Sequence, residues 1–402
     1  MFAGKHAIVV GLGFGDEGKG ATVDALTSTG DYDLVVRFNG GQQAGHNVVL
    51  PTGKHHTFTQ IGSGFFNGVP SHTSKYCTFD PIAFYGEADH LYALTRDIPY
   101  QMHTVSPDAL LTTPLHQASN RMLEAARGAG QHGTVGVGFG ETIRYALEAK
   151  DPMVVRDLTT PDVLTVKIVK YSQWLVDQGI MSAPIPRTDA YAMMRQMTKY
   201  ASFLELKSDD DMEFENHQVV FEGAQGALLD EWHGFHPHTT WSTTTAKNAK
   251  VLAGDRESIV IGCTRTYHTR HGAGPLQGEG EFQRAPQETH NSDDGAQGAW
   301  RTAPFSLPLF RYALDVAQPD VLSVTHLDVT APAFEGRDFK KPQIPWWEDE
   351  PARLEEQRLI GESTVKEKAC FKGFMGLNEF EKYVPVVLAA YGPSRADRQW
   401  LS

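Results

Sequence analysis

With 402 residues, 41% hydrophobic and 21% charged, the chain can bury a large core and has the composition of a soluble globular protein. Its net charge of −13 excludes a protein that coats nucleic acid or an anionic membrane through a broad basic face, though a local basic pocket around a phosphate stays open. The three cysteines, Cys77, Cys263 and Cys370, lie far apart without metal-ligand spacing and are expected as buried reduced thiols; no signal-peptide pattern opens the chain, and no apolar run reaches the ~20 residues of a membrane span. A cytoplasmic protein with no membrane and no nucleic-acid partner is expected.

Ala7-Ile8-Val9-Val10 is an apolar β-branched run, and Ala21 to Leu26 has helical composition, so the glycines between them fall where a strand turns into a helix. Gly13-Phe14-Gly15-Asp16-Glu17-Gly18-Lys19 fits a phosphate-binding loop, in which backbone N–H groups and a lysine surround a polyphosphate at a helix N-terminus. The next residue breaks the fit: Gly20 stands where a Ser or Thr would hold Mg²⁺. Asp16 supplies instead a carboxylate able to ligate a metal or take a proton.

Leu34 to Phe38 reads as a second strand, followed by the polar glycine-rich loop Asn39 to Asn47, in which His46 is expected as a ligand-contacting imidazole. Val48 to Leu50 and His56 to Ile61, joined at Pro51-Thr52-Gly53, form a hairpin pattern. Pro81 to Leu94 and Ser119 to Arg127 are helix candidates, and the second runs into a glycine-rich loop, Gly128 to Gly140, whose backbone is free to approach a ligand closely. From Asp157 to Asp211 the pattern is helical scaffold with a break near Pro184 to Pro186.

Val219-Val220-Phe221 is a strand delivering Glu222-Gly223-Ala224-Gln225-Gly226, which places polar side chains at a strand's C-terminal end, where open α/β sheets bind ligands. His233 to Thr245 is dense in imidazoles and hydroxyls, but Pro237 and the irregular spacing argue against a zinc site. Ser258 to Cys263 is a buried-type strand leading to Thr269-Arg270-His271-Gly272. Arg301 lies in the irregular stretch Asn291 to Pro304, where either carboxylate recognition or a solvated surface role is open. Val321 to Val324 presents Thr325-His326-Leu327-Asp328, a pattern like the base-reading element of guanine-nucleotide proteins with His326 in the lysine position. Phe334 to Glu362 reads as a surface insertion and Val384 to Ala390 as the last strand. The expected fold is α/β: residues 1–402 as a single large domain with a mostly parallel central sheet and a P-loop-like nucleotide site.

Taken together these motifs resemble the adenylosuccinate synthetase family: G-D-E-G-K-G at Gly15 to Gly20, N-G-G-Q-Q-A-G-H at Asn39 to His46, F-E-G-A-Q-G at Phe221 to Gly226, S-T-T-T-A at Ser242 to Ala246, T-R-H-G-A-G-P at Thr269 to Pro275, T-H-L-D at Thr325 to Asp328 and G-P-S-R at Gly392 to Arg395. The resemblance implies a ligase that joins L-aspartate to C6 of a 6-oxopurine nucleotide at the expense of ATP or GTP. It assigns Asp16 as base at purine N1, His46 as the group that stabilises and protonates the transferred phosphate, Gln225 as a hydrogen-bond partner near O6, and Lys19 as the neutralising cation. Mg²⁺ would be held by Asp16 and the Gly45 carbonyl. Purine monophosphate contacts fall on Asp16, Gln43, Thr134, Val135, Gln225, Thr240 and Ser242. Triphosphate contacts fall on Gly15, Glu17, Gly18, Lys19, Gly20, Gly45, His46, Asn47, Thr325, Asp328 and Gly392, and aspartate contacts on Arg301 and Thr302. A homodimer is implied.

Several departures concern the monophosphate. The family's T-T-G-R-G-I-G-P loop is here Thr134 to Glu141 without its arginine, its arginine-rich run becomes Gly298 to Phe305 with Ala299 near the ribose hydroxyls, an Asn becomes Gln43, and S-S-N-T-T becomes W-S-T-T-T. The same direction of change marks the bacteriophage branch of the family, which uses dGMP and makes N6-succino-2-amino-2′-deoxyadenylate for diaminopurine DNA. Unlike many members of that branch, the chain retains Asp16. dGMP with ATP is therefore the expected pair, an ordinary synthetase using IMP and GTP the alternative, and a nucleotide-dependent switch the alternative outside enzymes.

Overall fold

The computed structural model describes residues 2, 4–128, 133–282, 298–344, 348–366 and 370–401. Parts of the expected loops 128–140 and 291–304 therefore lie outside the described residues.

Ten strands form one sheet, in the spatial order Arg398–Trp400, Val386–Ala390, Val321–Thr325, Ser258–Arg265, His6–Gly11, Val219–Gly226, Leu34–Arg37, Ser71–Thr73, His103–Val105 and Glu205–Leu206. Every neighbouring pair is parallel except the edge pair of Val386–Ala390 with Arg398–Trp400. A parallel sheet needs both faces covered, and the period-2 alternation of the central strands shows how this is met. Ile8 and Val10 join Val36, Phe221, Leu322 and Val324 in one cluster, packed with Leu309, Phe310 and Ala313 of the helix Leu307–Ala317. Ala7 and Val9 join Val35, Val220 and Ile261 in a second cluster with Val23 and Leu26 of the helix Lys19–Thr27.

A third cluster lies around the helices Pro81–Thr95, Pro161–Asp177 and Arg187–Ala201, with Phe84, Leu91, Ile168, Tyr171, Leu175 and Met194 at its centre. Here the expected helices appear, with the break at Pro184 to Pro186 preceding Arg187. The helix expected from Ser119 begins earlier, at Pro114, because Thr113 caps it: its side chain accepts from the His116 N–H while His116 Nδ1 accepts from the Thr113 N–H.

Three other expectations shift. The strand beginning at Val219 runs through Gly226, so Glu222 and Gln225 belong to the strand's end rather than to a following loop. Cys77 and Cys263 are buried, whereas Cys370 is exposed at the start of the strand Cys370–Phe374, which pairs along only one side. The segment 334–362 is docked by buried side chains: Phe334 in the sheet cluster, and Arg353 and Gln357 of the helix Glu350–Lys366, both of which donate to the Glu231 carbonyl. No described helix is long and apolar enough to cross a membrane.

Candidate active site

Residues at or just beyond the C-terminal ends of adjacent parallel strands converge on one cleft of about 700 Å³. Gly15, Asp16 and Gly18 to Ala21 come from His6–Gly11, Gln43 to Asn47 from Leu34–Arg37, Gln225 from Val219–Gly226, Arg265 from Ser258–Arg265, Thr325, His326 and Asp328 from Val321–Thr325, and Gly392 from Val386–Ala390. Thr134, Val135, Val137, Thr240 and Trp241 also line the cleft.

The helix Lys19–Thr27 starts from Gly18 in the left-handed region (φ 88°), without a side-chain cap and without an acidic residue in its first turn. Its first N–H groups and its dipole are thus available to an anion. Glu17, expected to touch the triphosphate, folds back into the loop. Its Oε1 accepts from the N–H groups of Gly13 (2.8 Å) and Gly15 (2.7 Å), and its Oε2 accepts from Lys19 Nζ at 2.7 Å. Lys19 also donates to the Gly15 carbonyl at 2.5 Å, which leaves one of its three N–H donors for a ligand. Thr325 Oγ1 donates to the Glu17 carbonyl and ties the loop to the neighbouring strand.

The absence of a hydroxyl at position 20 has a steric reason. A Cβ on Gly20 would sit 2.6 Å from His46 Cβ, so the second loop packs where a Ser or Thr would stand. That contact sets His46 over the start of the phosphate helix. Its Nδ1 donates to Glu222 Oε1 at 2.5 Å, and Glu222 also accepts from the Ser63 N–H at 3.0 Å and from the Ser63 hydroxyl. Burial alone would raise the Glu222 pKa, but His46, Arg37 and the Ser63 hydrogen bond bring it down to about 2, so the group is a fixed carboxylate. Burial lowers the His46 pKa while Glu222 opposes that shift. Glu222 thus stabilises the imidazolium form of a ring whose burial disfavours it. Glu222 was visible as part of F-E-G-A-Q-G, but its role was not, because the pairing spans the fold.

Asp16 faces the cleft. Burial raises its carboxyl pKa, with His271 and Arg265 opposing and Glu17 reinforcing the shift. Arg265 Nη1 donates to the Asp16 carbonyl at 3.2 Å, and Arg265 Nη2 donates to His326 Nε2 at 2.9 Å. The His326 ring is thereby fixed against Arg265, edge-on to Tyr267, on a residue in the left-handed region (φ 58°). His271 lies within the motif T-R-H-G-A-G-P, which by itself assigns it no role, and Arg265 lies outside every motif of the sequence.

Gln225 also has a positive φ, 63°, a conformation that costs a non-glycine residue of order 1 kcal/mol and is characteristic of functional positions. The side chain it presents has an unpartnered buried Oε1. The same holds for His46 Nε2, Asn47 Oδ1 and both amide atoms of Gln43, and all four residues line the one cleft. Buried polar atoms are normally paired, so this convergence marks a place where a polar ligand supplies the partners.

The predicted site residues all line this cleft except Glu17, Ser242, Arg301 and Thr302. Ser242 is buried behind Gln225, where its Oγ accepts from Asn39 Nδ2 at 3.1 Å, and the Asn39 side chain also pairs with both backbone groups of Ala224. Arg301 and Thr302 lie on the strand Trp300–Ala303, paired with His268–His271. Arg301 borders an adjoining cleft that shares His238 with the first. It is half-buried, with Nη1 on the Gly272 and Gly274 carbonyls (2.7 and 3.0 Å) and the rest of the guanidinium on the Glu279 carboxylate, with Nε 2.6 Å from Oε1. Glu279 thus occupies, through two N–H groups, the edge of the guanidinium that a ligand carboxylate would need.

Among the described residues no group of three or more His, Cys, Asp or Glu is placed to hold a metal ion. Of the carboxylates that line the cleft, Asp16, Glu141 and Asp328, Asp16 lies in the phosphate loop and suits Mg²⁺, which binds through one or two carboxylates and completes its shell with phosphate oxygens and water.

The adenylosuccinate synthetase family profile matches residues 8–335. The chain is 32% identical to the adenylosuccinate synthetase of Anaeromyxobacter sp. over 347 residues, covering 81% of this chain and 78% of that one, and 32% identical to that of Synechocystis sp. over 356 residues, covering 81% and 74%. Its fold superposes on the fully ligated adenylosuccinate synthetase of Plasmodium falciparum with a TM-score of 0.82 at 20% identity, covering 99% and 100% of the chains. On the succinoaminodeoxyadenylate synthetase (PurZ) of cyanophage S-2L the TM-score is 0.64 at 16% identity, with coverage of 99% and 95%. A profile match across most of the chain, relatives above 30% identity and a shared fold agree, and the chain belongs to the adenylosuccinate synthetase family of C–N bond-forming ligases.

Proposed function

We propose that the chain joins L-aspartate to C6 of a 6-oxopurine nucleoside monophosphate in two steps within the 700 Å³ cleft. The observation that carries this reading is the convergence of unpartnered polar atoms from Gln43, His46, Asn47 and Gln225 around the Asp16 carboxylate and the uncapped phosphate helix. In the first step Asp16 takes the N1 proton and the developing charge moves to O6, where the Gln225 amide donates to it. O6 attacks the γ-phosphorus of the triphosphate, and the bond to the β-phosphate oxygen breaks to release a diphosphate. Lys19 Nζ, the helix N-terminus and His46 Nε2 hold the phosphoryl oxygens. In the second step the aspartate amine attacks C6, inorganic phosphate leaves and the amine proton is lost. Mg²⁺, a cofactor in this family, would be held by Asp16 with the Gly45 carbonyl and would neutralise charge on the phosphates. Aspartate enters from the adjoining cleft, where Arg301, with Thr302 next to it on the same strand, exchanges the Glu279 carboxylate for that of the substrate. The working unit is a homodimer, as the family resemblance implies.

For the purine we infer dGMP, with ATP as donor. Ala299, where the family has an arginine near the ribose hydroxyls, removes a donor that would favour a ribonucleotide, and Val137 replaces the arginine of the monophosphate loop. The cyanophage S-2L protein, which shares this fold, is described bound to dGMP and dATP. The 32% identity to ordinary adenylosuccinate synthetases favours a second reading, IMP with GTP, for which Asp328 remains as a base-reading carboxylate. Product mass measurement with aspartate across IMP, GMP and dGMP, each with ATP or GTP, decides between them. The dGMP reading predicts a succinylated 2-amino-2′-deoxyadenylate product, and it is overturned if IMP turns over far more efficiently.

A further inference from the structure

Arg398 begins the edge strand Arg398–Trp400, directly opposite Ala390, and its side chain is 4% exposed. Its Nη1 donates to Asp24 Oδ2 at 2.7 Å. Asp24 lies on the helix that begins at the phosphate loop, four residues beyond Gly20 and three beyond Ala21, and so shares their face of that helix. The Asp24 carboxylate is saturated by other donors: Arg395 Nε reaches Oδ2 at 2.9 Å, Arg395 Nη2 reaches Oδ1 at 2.5 Å, and Asn67 Nδ2 reaches Oδ1 at 3.2 Å. With Arg398 Nη1 these fill the four acceptor positions of a carboxylate. Arg398 Nη2 is consequently left buried without a partner, and Arg398 lines the cleft beside Ala390, Gly392 and Pro393. A guanidinium is a donor only, and leaving one of its N–H groups buried and unpaired is unfavourable unless a ligand completes it.

We propose that Arg398 is a further binding residue for the triphosphate nucleotide, with Asp24 fixing the guanidinium so that Nη2 donates to an oxygen of the nucleotide alongside the first turn of the phosphate helix. The assignment rests on the triphosphate occupying this end of the cleft. Calorimetric titration of the full chain with adenylyl and guanylyl imidodiphosphate in Mg²⁺ tests both. If the unaltered protein binds neither analogue, the cleft reading itself fails. If it binds one, Arg398→Gln is expected to weaken that affinity about tenfold, with the KM for purine monophosphate and for aspartate unchanged. Arg398→Lys keeps a cation for Asp24 and is expected to restore Tm without restoring the affinity. Unchanged analogue binding in Arg398→Gln, equal losses for all three substrates, or full recovery of affinity in Arg398→Lys overturns the assignment.

Discussion

His46 and His116 are both buried, each engages one ring nitrogen in a hydrogen bond, and each has an unpartnered Nε2. What differs is the region that surrounds them. His116 sits in the helical layer, stacked on Tyr171 at 4.1 Å, and burial alone depresses its pKa to about 3. It is a ring kept neutral down to acidic pH, and it serves a helix cap. His46 faces the cleft, beside a fixed carboxylate that opposes the effect of burial. An unpartnered buried nitrogen is therefore not by itself a functional mark; the mark is several of them turned toward one cavity, with a charge arranged to stabilise the protonated form.

The sharpest way to test this contrast is to remove the base that completes the cleft. Asp16→Asn is expected to lower kcat by about 10³-fold or more while the fold is kept, measured by phosphate release in the presence of aspartate. Because burial holds the Asp16 pKa above its ordinary value, and the base must be ionised, the acid limb of the pH–rate profile of the unaltered enzyme should lie above the usual carboxylate range. Glu222→Gln removes the group that raises the His46 pKa. A loss of about 10- to 100-fold in kcat is expected, together with a shift of the alkaline limb toward lower pH, because the imidazolium then deprotonates earlier. An unshifted limb would show that His46 acts without its carboxylate.

The counterpart in the helical layer, His116→Asn, should leave kcat within about twofold and cost roughly 1–3 kcal/mol of stability through the lost ring packing and cap. The smallest effect concerns pH. His103 and His116 both have pKa values depressed to about 3 by burial, His72 and Arg37 adding to the shift of His103. Below pH 6.5 the unfolded chain binds protons that the native rings refuse, so stability is full above that pH and declines as pH falls toward 3. At pH 5.5 the loss is about 1 kcal/mol per histidine, read from urea unfolding at pH 7.5 and 5.5.

Much of the molecule was legible in its local sequence. Short β-branched runs such as Ala7 to Val10 and Val219 to Phe221, each ending in glycine and polar residues, can only be buried strands with loops at their C-terminal ends, and that is where the cleft lies. Period-2 alternation and glycine content act over a few residues, so they are written locally. Side-chain partnerships are not. The His46 to Glu222 pair is separated by 176 residues, and Glu222 becomes a site residue only because the strand Val219–Gly226 lies between His6–Gly11 and Leu34–Arg37. The fold-back of Glu17, the seat of Arg301 on Glu279 and the saturation of Asp24 likewise depend on which charged groups the packed sheet brings within reach. The sequence by itself determined the sheet, the loops and the family chemistry. Tertiary structure alone decided which of the conspicuous residues face the ligand, because burial and pairing are properties of neighbours in space.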